Sequence, residues 1–332
     1  MAPTTSAVTT LDGEDVTSTL EPIESVPSAS SRPFPKRPNT IRRSEQRTAA
    51  LFLSPAILLF LSFVAMPFVA AIVLMFFDWD LITSPRFSGL DNIVRLFGDT
   101  TTLTSIGNTF VFTFFAVALH LVVGLALALA LNRSMHRVLR RLLNTAIVFP
   151  VMISWAAVAL IWRYALDPNF GFVNHYLRQF GIDPPNWFAD PASAMPSLIG
   201  VDLWHSAGYT MVILLAGLQG VPTVLYEAAR IDGAGPFRQL WSITLPMLSP
   251  TLLFASVITF IGAFQIFDPM FIITNGGPDN TTLSVVQDVY NTGFRDFSMG
   301  YASAKALVIV IVIMVVTILQ LRLSRRWVNY DR

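Results

Sequence analysis

Six long apolar stretches confine this chain to a membrane. They cover residues 50–77, 106–131, 142–165, 196–220, 250–274 and 302–322, and about 20 apolar residues suffice to carry a helix through the hydrocarbon core. No water is available there to satisfy open amide groups, so each stretch must close its own hydrogen bonds as a helix. Polar residues interrupt the third and fourth. The expected fold is an all-α membrane protein, a six-span bundle. Hydrophobic residues make up 53% of the chain and charged residues 13%, against about a quarter charged in soluble domains. That composition excludes a soluble enzyme, a disordered scaffold and a secreted mini-protein.

Charge orients the bundle. Sixteen of the 22 Lys and Arg fall in residues 1–47, in the 132–141 loop, in the 221–249 loop and at the C-terminal end. Alternate loops therefore carry the cations, and cations flank spans on the cytoplasmic side. Both termini are expected in the cytoplasm of a bacterial cell, with the chain multi-pass in its cytoplasmic membrane. Residues 1–47 are polar, with an acidic cluster (Asp12, Glu14, Asp15, Glu21, Glu24) ahead of a basic run (Arg32 to Arg47). They read as a disordered tail and carry no apolar segment of signal-peptide type. The basic run abuts a span, where flanking cations belong, so nucleic acid is not an expected partner. Membrane lipid is.

Signs of catalysis are absent. No Gly-x-x-x-x-Gly-Lys-Ser/Thr loop, His-Glu-x-x-His or Gly-x-Ser-x-Gly occurs, and there is no Cys. The chain is expected to hold no metal, to bind no cofactor itself and to catalyse nothing. Polar residues inside the spans still require a reason, because a charge at mid-span costs roughly 2.5–3.5 kcal/mol on insertion scales. Asp202, His205, Ser206 and Tyr209 fall at i, i+3, i+4 and i+7 of the fourth span, on one helical face, with Trp204 beside them. Gln265 and Asp268 lie one turn apart in the fifth. A polar, aromatic-edged solute path would use His205, Gln265, Trp204, Tyr209, Asp268 and Asn108. Interhelical hydrogen bonding explains Asp202 and Asp268 equally well, and His120 reads as a packed core residue.

The 222–246 loop is different in kind. Thr223 can cap a short helix through Glu227 to Ile231, Gly233 and Gly235 can break it, and Phe237 to Leu245 can form a second helix before Pro246. Physics alone makes this an interfacial linker. The string Glu227-Ala228-Ala229-Arg-Ile-Asp232-Gly233-Ala234-Gly, followed by Ile243-Thr-Leu-Pro246, resembles the cytoplasmic coupling motif of binding-protein-dependent ABC importer permeases. Phe77-Asp-Trp-Asp80, Gly89-Leu-Asp-Asn92, Asp167 to Asn174, Thr274 to Pro278 and the Leu319 to Tyr330 ending are similar to the carbohydrate branch of that family, the first permease of the maltose and glycerol-phosphate importers. The resemblance covers about 48–332.

That resemblance implies a type I importer permease paired with a second, different permease. It also implies two ATPase subunits carrying ATP and Mg, and an extracytoplasmic solute-binding protein. Glu227 would meet a basic group of an ATPase cleft, Gly233 would allow the turn, and Ala228 and Ala229 would pack, with Asp232 and Ala234 completing the contact. The expected cargo is a sugar, since no cation lies deep in the spans. Glycerol 3-phosphate or a glycerophosphodiester is the alternative. A stand-alone six-span channel or receptor and an intramembrane hydrolase are the readings from other classes.

Overall fold

The computed structural model describes residues 39–133, 135–325 and 328, with side chains from residue 48 onward. The chain divides into two units, Met1–Leu59 and Phe60–Arg332. In the first, the described residues form helix α1 (Asn39–Phe60), with Leu51, Phe52 and Leu58 exposed. The tail expected over 1–47 lies outside the described residues as far as 38, and residues 39–47 fall within α1.

The second unit opens with a π-helical turn (Leu61–Ala65) and α2 (Met66–Leu74). A two-stranded hairpin follows, β1 (Phe77–Asp78) antiparallel to β2 (Arg86–Phe87), and then α3 (Asp91–Gly98). The second span is α4 (Thr100–Asn132). Asp99 caps it, accepting from the Thr101 and Thr102 amides.

Against the single helix expected over 142–165, the third apolar stretch forms two helical segments bent by 99°. It comprises α5 (Arg137–Val148), a 3₁₀ turn (Phe149–Met152) and α6 (Trp155–Ala165). Pro150 is the cause: it lacks an N–H, and its ring clashes with the preceding turn. A short helix α7 (Phe172–Gln179) leads to the fourth span, α8 (Pro191–Gln219). Despite its polar residues α8 is unbroken, starting from an Asp190 cap and a proline at its first position.

Thr223 is not the cap of α9 (Thr223–Ile231) but its first residue; Pro222 precedes it with no side-chain cap. The second helix of the loop does not stop before Pro246. Residues Pro236–Phe264 form one helix, built of α10 (Pro236–Gln239), a π turn (Leu240–Thr244) and α11 (Leu245–Phe264). The wider π turn re-registers the backbone just before the two prolines at 246 and 250, where a regular helix would lose donors. The fifth span therefore begins earlier than expected and ends earlier too. A helix running on to 274 would need an N–H from Pro269 for the Gln265 carbonyl. Instead the chain breaks at 265–267 and resumes as a π segment (Met270–Thr274). Then come α12 (Val285–Tyr290), another π segment (Asn291–Arg295) and the last span, α13 (Met299–Ser324).

In the second unit α4 and α8 pack along much of their length, and α11 lies against both. Close approach, rather than water exclusion, drives such contacts in lipid. At Gly208 a Cβ would run into the Ile147 carbonyl of α5, so only glycine lets α8 pass the bend of the third span. Phe112, Val158, Leu198 and Met270 fill the space beyond it.

Side chains tie the loops down at the end remote from α9. Asn92 donates to the Met75 and Phe77 carbonyls. Asn174 donates to those of Leu166 and Asp167 and accepts from the Trp187 indole at 2.7 Å. Asn108 donates to Asn280 and Leu283, and Thr109 accepts from the Val285 amide. Lys305, 3% exposed, reaches Asp288 at 2.9 Å, Thr292 at 2.8 Å and Asp99 at 3.4 Å. Burial raises the Asp99 carboxyl, but hydrogen bonds from Tyr301 and Thr102 and the Lys305 ammonium outweigh it and hold it well below the usual carboxylate range.

Candidate functional site

Two places in the second unit concentrate unexplained chemistry. The first is α9 with its turn. No residue of α9 is buried, and apolar side chains stand out along it and the next helix: Val224, Ile231 at 87% exposure, Phe237 and Trp241. The turn is rigid all the same. Gly233, at φ +76°, takes the left-handed conformation that costs other residues about 1–2 kcal/mol. The Ala234 amide bonds back to Ala229 and the Gly233 amide to Arg230, the paired bonds of a Schellman cap. Gly235, also expected to break the helix, is extended at φ −69° and needs no special freedom.

Two hydrogen bonds fasten this turn to the long helix: Gln239 Nε2 to the Ala234 carbonyl at 2.8 Å, and Tyr226 Oη with Thr244 Oγ1 at 3.0 Å. Glu227, Ala228, Asp232 and Gly233 are exposed, and Ala229 and Ala234 half-buried. All six residues expected to contact a partner are thus brought to one exposed element. The turn at 232–235 joins α9 to the helix that becomes the fifth span.

The second place is a cavity of about 210 Å³ among α4, α6, α8 and α11, lined by His120, Trp155, Asp202, Ser206, Tyr209 and Thr259, with apolar neighbours. His120 Nε2 lies 3.3 Å from Asp202 Oδ2, both side chains buried. Such a pair deep in a span faces a partner or a cavity, and this one has both. His120 is therefore more than core packing. The reason is register: α4 and α8 cross where residues 120 and 202 meet, which spacing along one chain does not reveal.

His205 is buried, but it points to the bend of the third span. Its Nε2 stands 3.2 Å from the Ile153 carbonyl, its Nδ1 3.1 Å from Ser206 Oγ, and its ring packs on that of Trp155 at 3.9 Å, tilted by 39°. It satisfies a carbonyl at the bend and holds Trp155, which lines the cavity. Tyr209 lines the cavity directly. The other four expected path residues are elsewhere. Trp204 is exposed and edge-on to Trp162 at 5.5 Å. Gln265 ends α11, exposed, and Asp268 is exposed beyond it, while Ile266 faces the cavity. Asn108 serves the 280–283 turn. Among the described residues, no group of three or more His, Asp or Glu is placed to hold a metal.

Residues 120–329 match the family described as "Binding-protein-dependent transport system inner membrane component". The chain is 33% identical over 304 residues to the diacetylchitobiose uptake system permease protein NgcF of Streptomyces coelicolor, covering 86% of each. It is 36% identical over 301 residues to the probable ABC transporter permease protein YesP of Bacillus subtilis, covering 89% of this chain and 96% of that one. To the trehalose/maltose transport system permease protein MalF of Thermococcus litoralis it is 31% identical, over 86% and 96%. Among solved structures, a chain of a bacterial ABC transporter importing the acidic polysaccharide alginate superposes with a TM-score of 0.76 at 25% identity, covering 88% of this chain and 99% of that chain.

Proposed function

The chain belongs to the family of binding-protein-dependent transport system inner membrane components, and from that premise we propose that it conducts a neutral sugar into a bacterial cell as one permease of an ATP-driven pair. It is an inner-membrane permease subunit. In the proposed assembly a second permease completes the solute path, an ATPase dimer receives α9, and an extracytoplasmic binding protein delivers the solute. Both termini lie in the cytoplasm. The single observation that carries this reading is α9 with its turn: an exposed, capped helix and turn that present Glu227 to Ala234 and are hydrogen-bonded to the helix of the fifth span.

The mechanism follows from that fastening. A force on α9 has no loose joint in which to be lost, since the turn is bonded to a helix that runs from Pro236 to Phe264. Closure of the ATPase subunits would move the inner end of α11 as a rigid rod, and with it one wall of the His120–Asp202 cavity. Alternating exposure of a mid-membrane site needs rigid-body motion of this kind. The cavity suits a sugar. Trp155 and Tyr209 offer ring faces, the polar side chains offer donors and acceptors, and no Lys or Arg lines it to favour a phosphate-bearing solute. NgcF and MalF, named for sugar uptake, point the same way.

The test is ATPase activity of the complete complex in nanodiscs, titrated with its binding protein and candidate solutes. Stimulation by one neutral sugar supports the reading. Stimulation by glycerol 3-phosphate alone overturns the substrate class. A chain that purifies without an ATPase returns a channel or receptor.

A further inference from the structure

A second and larger cavity, about 510 Å³, lies against the outward end of α6 and α8, lined by Trp162, Leu166, Val173, Trp187, Pro196 and Gly200 among others. At 3.6 residues per turn, Ser193, Ser197 and Gly200 face the opposite side of α8 from Asp202, Ser206 and Tyr209, so this space is separate from the solute cavity. Its wall has little to offer a polar guest. The Ser193 hydroxyl donates to the Asn186 carbonyl, Ser197 to the Ser193 carbonyl, and the Trp187 indole to Asn174. The Trp162 indole N–H is buried without a partner, but one donor does not hold a sugar or a water cluster, since water needs 2–4 polar partners. Hydrocarbon needs none.

Depth identifies the occupant. From Ala192 to Val201 the lining descends about 14 Å along α8, close to the thickness of one leaflet, about half of a 30 Å core. Its mouth carries Trp187, an interfacial residue type, and Gly200 leaves open space where a Cβ would stand. We propose that this cavity is a lipid site holding one phospholipid acyl chain from the leaflet remote from α9. The bound chain fills the groove between the outward ends of α6 and α8. The inference uses the membrane placement of the permease but not its cargo.

The experiment uses the complete complex in nanodiscs containing phosphatidylglycerol with a diazirine on one acyl chain. Irradiation should label peptides spanning 162–173 and 192–201. Gly200→Leu, which fills open space, should lower that labelling at least fivefold, while labelling of Phe114 and Val122 on α4, exposed side chains, stays unchanged. Ala192→Leu, nearer the mouth, should lower it also and serves as the second variant. Equal labelling of parent and both variants overturns the site, as does the absence of lipid label from the 162–173 and 192–201 peptides of the parent. Solute-stimulated ATPase, measured on the same samples, reports on the transport reading independently.

Discussion

Gly233 and Glu227 separate geometry from contact within one motif. Gly233→Asp puts a side chain at φ +76°, unwinding the cap at a cost of about 1–2 kcal/mol. Glu227→Lys leaves the backbone alone and reverses an exposed charge. Both are expected to abolish ATP-dependent uptake while the chain still inserts into the membrane; normal uptake in either would sink the docking role of α9. Lys305 makes the opposite kind of case. Removing it alone strands the buried Asp288, and breaking a buried pair typically costs 3–5 kcal/mol. Lys305→Met should therefore lower the melting temperature of the purified complex steeply, and Asp288→Asn in the same chain should restore part of the loss. An unchanged melting temperature in the single variant would remove the network from the stability of the fold.

Among the elements, the bent third span and the unbroken α8 depend on each other. The bend frees a carbonyl at Ile153, His205 of α8 stands against it, and Gly208 one turn later allows the approach. Gly208→Val should force the two apart. Overpacking costs about 1–3 kcal/mol, and the expected sign is a loss of monodisperse protein in detergent, read by size-exclusion chromatography of a fluorescent fusion. A normal profile would mean that the crossing tolerates bulk. These elements were only partly legible beforehand. Apolar length located the five helices among the described residues that are long and apolar enough to cross a membrane, and the bent pair beside them, because lipid demands helix wherever a long apolar run occurs. Their interruptions were harder, since whether a proline bends, re-registers or merely starts a helix depends on what lies beside it. Pro150 sits at a bend, Pro246 follows a π turn, and Pro191 opens α8.

For the whole molecule, the first question is sidedness. The chain has no Cys, so single cysteines can be placed without background. Ile231→Cys in α9 and Ile182→Cys in the 180–190 segment are both at exposed positions. A membrane-impermeant maleimide applied to intact spheroplasts should label residue 182 and not 231, and the reverse in inside-out vesicles. Labelling of 231 from outside would invert the topology and remove α9 from the cytoplasmic ATPase. The sequence by itself determined the membrane, the positions of the apolar stretches, the sidedness expectation and the exposed Glu227–Ala234 string. Each of these is written in contiguous residues, as apolar length, cation placement or an unbroken string. Only the tertiary structure decided that His120 meets Asp202, that His205 braces a bend, that Asn108 ties a turn, and that Gln265 and Asp268 stand outside the cavity. Those facts depend on where separate helices cross and in what register, and packing sets that register over distances of 50 residues and more, where one-dimensional spacing carries no signal.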